Sequence, residues 1–383
     1  MSTAEVHGHV SPGYEKVRDE FTAAVTAEEG LGAQLSVYAK GRPVVDLWTG
    51  PPGVDGDSLF PNYSSAKGAA HLVAALLVQD GVIALDAPVA RYWPEFAAEG
   101  KERITFRELI AHRAGLIGVD GGFAFDELAD DRRIAERLAG QKPFWEPGTA
   151  YGYHGFVIGA LTGEVVRRVT GKSIQELYSE RIRVPYGLDY HLGLPEALEP
   201  RFVPVEAMRP TPEQAAELAA HPLDPDSLRG IAFNANSGEA VDRVAFGNSP
   251  LVRRLGPASS GGVGNARGLA KMYAATLHRV DGLDPLLRPE TVAEFAGVSM
   301  EGVDLVDGQS GHFGLGFEVP SRRYGSLGDD AFGHSGATGS TSFADPASGV
   351  AYSYLRNRFV FGGGGGSPEN RPIIAAVVEA ATA

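Results

Sequence analysis

The chain has 383 residues, more than the roughly 250–300 at which a single core stops growing, so two lobes with a cleft between them are expected. Apolar residues make up 43% and charged residues 21%, which argues against disorder, and no apolar run reaches the about 18 residues that would span a membrane. A formal net charge of -14 without a Lys/Arg block argues against a nucleic-acid partner, and the lack of cysteine excludes disulfides, thiolate metal sites and a cysteine nucleophile.

Residues 1–20 lack the basic start and apolar run of a signal peptide, so a cytoplasmic location is expected. Val17, Phe21, Ala24 and Val25 recur at helical spacing and predict a helix ending near Glu29, stopped by Gly30 and Gly32. Segments 33–39 and 44–48 read as the strands of a hairpin turning at 40–43, followed by a loop over 51–57. Helical spacing returns over 64–79 and ends at Asp80-Gly81. From 105 to 277 helical patterns dominate, broken by Gly- and Pro-rich loops at 115–122, 143–148 and 204–212. Strands are predicted over 312–319, 339–343 and 350–356, with a turn at 345–349 and a closing helix over 372–381. Helix and strands at both ends, with helices between, predict an α+β fold. Its sheet lobe comes from 1–85 and 301–383 and its inserted helical lobe from 86–300, with the active site in the cleft between them.

Ser64-Ser65-Ala66-Lys67 is an S-x-x-K tetrad at a predicted helix start, and its spacing of three places both side chains on one face of the first turn. A neutral lysine amine can take the serine proton when desolvation lowers its pKa, and a helix N-terminus favours the developing negative charge. The tetrad alone also reads as a surface helix cap followed by a solvated lysine. Two further segments change that reading: 146–155, where Glu146-Pro147-Gly148 precedes Tyr153 at the opening of a helical pattern, and Gly333-His334-Ser335-Gly336-Ala337 among the late strands.

With these segments in view the chain resembles the serine β-lactamase and penicillin-recognising superfamily, most closely the class C-like carboxylesterases of family VIII. The likeness extends to 44–48, 81–86, 109–116 and 262–267, and so covers nearly the whole chain. The resemblance implies an acyl-enzyme on Ser64, proton shuttling by Lys67 and Tyr153, and an oxyanion hole from the backbone N–H groups of Ser64 and Ala337. It also implies a cleft wall from His334, Ser335 and Gly336. Phe144 and Trp145, with Phe123 and Phe125, precede the tyrosine segment and are expected to line an apolar cleft. β-Lactamases commonly carry Y-x-N and K-T-G where this chain has Tyr153-His154-Gly155 and His334-Ser335-Gly336. The amide and the lysine charge that help hold a β-lactam are therefore missing, and small uncharged esters are the expected substrates. Acyl transfer, amide or peptide hydrolysis, weak β-lactamase activity and a non-catalytic binding role within the same superfamily remain alternatives.

Competing motifs are weaker. Gly56-Asp57-Ser58-Leu59 matches the GDSL esterase signature, but the Asp-x-x-His pair that should accompany it has one residue too many between Asp330 and His334. A triad using those two residues would leave them about 13 Å apart along a strand. Ser335 lacks the final glycine of G-x-S-x-G. The histidines form no H-E-x-x-H, and neither metal nor other cofactor is expected. His71 and His112 read as core or capping residues, His154 as pointing away from the Tyr153 face, and the glycine run 362–366 as a flexible surface loop.

Overall fold

The computed structural model describes residues 4–238 and 241–383, and among them nine strands. These are β1 His7–Val10, β2 Ala33–Ala39, β3 Arg42–Thr49, β4 Phe60–Pro61, β5 Tyr190–Leu192, β6 Gly262–Gly264, β7 Phe332–Ser335, β8 Thr341–Asp345 and β9 Val350–Arg356. Six of them form an antiparallel sheet in the order β1-β3-β2-β9-β8-β7, which joins the two ends of the chain in one layer. The hairpin of β2 and β3 pairs as expected, and β2 takes β9 on its other side with Leu35 opposite Tyr354.

The sheet's two faces differ because side chains alternate along each strand. Leu35, Val37, Val45, Leu47, Phe343, Tyr352 and Tyr354 lie in one apolar cluster with the two terminal helices, Glu15–Thr26 and Asn370–Thr382. The first of these helices buries Val17, Phe21 and Val25, spaced by four, so one stripe meets the sheet. The opposite face carries smaller, more polar side chains: Gln34, Ser36, Ser342 and Ser353, the last two hydrogen-bonded at 2.9 Å. Helix Ala266–Leu277 lies across this face against β2, β8 and β9, and Gln34 Oε1 accepts the Ala266 N–H at 3.0 Å. We therefore propose the lobe division 1–85 with 301–383 and 86–300 with one amendment: helix Ala266–Leu277 goes with the sheet.

Helix Ala66–Gln79 is apolar nearly all round and buried along almost its whole length, as expected of a helix packed on every side. Gly68 lets Tyr273 of the sheet-covering helix press against it, since a Cβ there would overlap the tyrosine hydroxyl. A small second sheet, β4-β6-β5, holds the segment just before this helix.

Several expectations are corrected. Residues 312–319 form no strand; they fold into a tight turn with only isolated bridges, Phe313 to Glu318 and Glu318 to Gly333. The strand expected at 339–343 begins two residues later, because Gly336 to Gly339 make a turn closed by Gly339 N–H to Gly336 O at 2.9 Å. The middle section, expected to be mostly helical, also holds the three-residue strands β5 and β6. Tyr153 stands in a loop ahead of helix Ile158–Thr170 rather than at its opening. No helix among the described residues is long and apolar enough to cross a membrane.

Candidate active site

The site is built on the turn that delivers the chain from β4 into helix Ala66–Gln79. Asn62 ties this turn to the small sheet, its N–H donating to Gly262 O at 2.8 Å and its side chain to Phe60 O at 3.0 Å and Gly264 O at 3.2 Å. The next residue, Tyr63, has φ +46°, a left-handed conformation that a bulky side chain adopts only when its surroundings enforce it. Its hydroxyl donates to Arg243 O at 2.7 Å and its ring packs on Phe359, which fixes it there. Ser64 follows in a short 3-10 turn and presents its Oγ at the N-terminal end of the buried helix.

Lys67 Nζ donates to Ser64 Oγ at 3.0 Å and Tyr153 OH donates to the same oxygen at 2.8 Å. Lys67 also donates to Ser259 O at 2.7 Å and lies 4.9 Å from the centre of the Tyr153 ring. Burial brings the Lys67 ammonium down to about 7, with the charge of Glu318 opposing it, so a large fraction of the amine is neutral near pH 7. Burial pushes the Tyr153 phenol up, although its hydrogen bond to Ser64 works the other way, and it stays protonated. The three residues expected to act together are thus in contact.

Tyr153 is placed by its main chain. Its N–H donates to Asp304 Oδ1 at 3.1 Å, and the same oxygen accepts Val306 N–H at 2.7 Å and Asp307 N–H at 3.2 Å. Burial, helped by the neighbouring Asp307, raises the Asp304 carboxyl to about 6. Asp304, Asp307 and His312 each bring one potential ligand atom within 4.8 Å of the others, a convergence that motif spacing did not suggest. Behind the tyrosine, His154 N–H donates to His112 Nδ1 at 3.1 Å, Leu116 N–H donates to His154 Nε2 at 3.1 Å, and His154 Nδ1 meets Gly152 O at 2.6 Å. These contacts give His154 an Nδ1–H tautomer and a turn-holding role. His71 Nδ1 meets Lys67 O at 2.9 Å. Burial holds both rings, and that of His112, well below the ordinary imidazole range, so this layer is neutral at pH 7.

Strand β7 forms the opposite wall. Ser335, Gly336 and Ala337 line the cleft with Ser64 and Tyr153. The Ala337 N–H donates to no other group among the described residues. A Cβ on Gly336 would stand 2.6 Å from Asn62 O and 3.2 Å from Ser65 Oγ. Glycine here therefore lets β7 approach the serine turn, a reason different from making room for an ester. His334 is buried behind the cleft wall and does not line it; its ring centre is 6.2 Å from that of Tyr153. Its Nδ1 meets Ser335 O at 2.9 Å, and burial brings the ring down to about 4. The carboxylate beside it is Glu318, 3.5 Å from Nδ1, and not Asp330, which is exposed.

The cleft has a volume of about 730 Å³, and its apolar lining includes Met208, Leu218, Phe233, Phe313, Phe359 and Phe361. Phe144 and Trp145 are not among its lining residues; they pack with Ile117, Ala232 and Val306 behind Tyr153 and support its loop. Phe123 and Phe125 line a different pocket. The glycine run, expected as a free surface loop, supplies part of the cleft wall through 362–365, where Arg323 donates to Gly365 O. Ser58 is tied into its own turn, donating to Asp55 Oδ1 at 3.0 Å. Sequence reasoning missed Glu318, Asp304 and Ser259. Ser259 contributes a backbone carbonyl and so has no side-chain signature, while the two carboxylates belong to no motif.

The chain matches the Beta-lactamase family over residues 17–373. It belongs to that family. A similar protein is the esterase/beta-lactamase LipL of Mycobacterium tuberculosis, 32% identical over 372 residues covering 93% of this chain and 83% of LipL. EstA from Arthrobacter nitroguajacolicus Rue61a is similar in structure with a TM-score of 0.90 and 37% identity, over 100% of this chain and 99% of EstA. A family VIII carboxylesterase superposes with a TM-score of 0.84 at 32% identity, over 98% and 100% of the two chains. These Beta-lactamase family relatives bear out the α+β, β-lactamase-like fold and the superfamily resemblance carried by the tetrad, tyrosine and strand segments.

Proposed function

We propose that this chain is a serine carboxylesterase that cleaves small carboxylic esters through an acyl-enzyme on Ser64. The observation that carries this reading is the pair of contacts on one oxygen, Lys67 Nζ at 3.0 Å and Tyr153 OH at 2.8 Å. Relatives described as an esterase/beta-lactamase and a family VIII carboxylesterase support the reaction class. The neutral Lys67 amine takes the Ser64 proton as Oγ bonds to the ester carbonyl carbon. The carbonyl oxygen becomes an oxyanion held by the backbone N–H groups of Ser64 and Ala337, each such donor contributing about 3 kcal/mol where measured. Collapse of this intermediate breaks the C–O bond to the alcohol. The leaving oxygen takes the proton of Tyr153, which Lys67 resupplies. Water then attacks the acyl-enzyme by the reverse relay, releasing the acid and restoring Ser64.

Loss of the K-T-G lysine removes an anion clamp, and His334, neutral and buried, does not replace it. A substrate panel tests the reading: p-nitrophenyl acetate and butyrate should be cleaved far faster than nitrocefin. Efficient nitrocefin turnover without ester cleavage would reverse it.

A further inference from the structure

Glu318 is a partly buried carboxylate, its side chain 13% exposed, that none of the steps above uses. It stands in the turn before β7, its N–H donating to Gly333 O at 2.8 Å, and it lines the cleft. Its Oε1 accepts the Ser335 hydroxyl at 2.7 Å and its Oε2 the Ser335 N–H at 3.1 Å. A carboxylate has about four acceptor positions, so these bonds leave capacity on the cleft side. Burial alone would raise this carboxyl, but His334, Arg323 and the Ser335 bonds pull it below its ordinary value, and it is ionised at neutral pH.

Its cationic neighbour is only a partial offset. Arg323 Nη1 is 3.8 Å from Glu318 Oε2, and its guanidinium donates elsewhere, to Gly365 O and, at 2.7 Å, to Gln309 Oε1. His334 and His312 also face the carboxylate, and burial keeps His334 neutral at pH 7. Glu318 is the acidic side chain that raises the proton affinity of both Lys67 and Tyr153, ahead of Asp307 and Asp304 at the tyrosine. The cleft lining as a whole carries both signs, Arg229, Arg243 and Arg323 beside Asp242, Asp307 and Glu318, and Glu318 is the carboxylate hydrogen-bonded to Ser335 of β7.

We propose that Glu318 selects substrates by charge, admitting esters that carry a cationic ammonium group near the scissile carbonyl and rejecting those with an anion there. This rests on the esterase reading and deepens it: the chain lacks a lysine clamp and also holds a fixed charge of the opposite sign beside Ser335. Size-matched acyl groups isolate the effect. p-Nitrophenyl 4-(trimethylammonio)butyrate, its neutral carbon analogue p-nitrophenyl 5,5-dimethylhexanoate, and p-nitrophenyl 4-sulfobutyrate differ mainly in charge.

For the unmodified protein, kcat/KM should follow the order cation, neutral, anion. Glu318→Gln keeps an acceptor oxygen for Ser335 and removes the charge, and should reduce the cation-to-anion ratio about tenfold or more. Arg323→Gln, which removes the offsetting cation, should raise the same ratio, and it carries the test if Glu318→Gln does not fold. A ratio near one in the unmodified protein, or one unmoved in both variants, overturns the proposal. Failure of the unmodified protein to cleave even the neutral ester would instead overturn the esterase reading.

Discussion

Lys67 and Tyr153 reach the same Ser64 oxygen, yet burial moves their proton affinities in opposite directions, and this assigns their order of action. With the ammonium brought down to about 7 and the phenol raised, the first proton acceptor is the amine, and the phenol passes a proton on. Below about pH 7 Lys67 holds its proton and cannot accept another, so kcat/KM for p-nitrophenyl butyrate should climb with pH through about 7 and then level off. A profile flat from pH 5 to 8 that rises only near pH 10 would instead make a tyrosinate the base. Lys67→Ala and Tyr153→Phe should each lower kcat by about 10² or more, and the double variant should lose little further because both act on one oxygen. Multiplicative losses, measured under saturating ester, would contradict a shared relay. At this scale the sequence was legible where chemistry follows a motif: the spacing of three between Ser64 and Lys67 became a 3.0 Å contact. It was silent on Glu318 and Asp304, whose significance lies in what folds against them.

Two short elements hold the reacting groups at their separations. The end of β7 approaches the serine turn through Gly336, and a methyl group there would stand 2.6 Å from Asn62 O, a backbone atom that cannot swing aside. Gly336→Ala should therefore cost about 1–3 kcal/mol of stability and lower kcat, both read from urea unfolding and steady-state rates. The second element is the turn at 304–307, where Asp304 Oδ1 collects the N–H groups of Tyr153, Val306 and Asp307. A carboxyl raised to about 6 in the fold contributes most to stability at low pH, where it is neutral, and loses that contribution as pH rises through 6. Asparagine keeps the acceptor oxygen and is never charged. Asp304→Asn should thus gain in Tm relative to the unmodified chain between pH 4 and pH 8, in thermal melts at both; a gain that shrinks with rising pH would contradict this. Pattern reading found β2, β3 and β9 because their alternation or apolar run is long. It overcalled 312–319, where an apolar-rich stretch is consumed by a turn around Phe313 and Glu318.

Over the whole molecule, chain ends and middle are joined by buried arginines at and just beyond the end of β9. Arg356 donates to Glu28 at 2.6 Å and Glu369 at 2.5 Å, tying both terminal segments, while Arg358 donates to Glu206 of the middle section at 2.7 Å. Arg356→Met would take the nearest cation from two partly buried carboxylates, leaving Glu28 with Arg358 at 3.8 Å and Glu369 with the Tyr354 hydroxyl at 3.0 Å. Because both can rehydrate in part, about 2–3 kcal/mol of unfolding free energy should be lost, measurable by urea titration. Such ties are invisible in sequence, since residues 28, 206, 356 and 369 share no pattern, whereas the discontinuous sheet was legible from strand signals at both ends. The aromatic residues at 144 and 145 show the same limit, being apolar as expected but packed behind the cleft, and the glycine run forms wall that composition assigned to solvent. All of this architecture converges on one oxygen, so the most direct measurement is the mass of the intact protein after reaction with a fluorophosphonate, followed by peptide mapping. A single adduct on Ser64, absent in a Ser64→Ala variant that has also lost ester cleavage, is the predicted result; an adduct on Ser58 or Ser335, or full activity in Ser64→Ala, would contradict it.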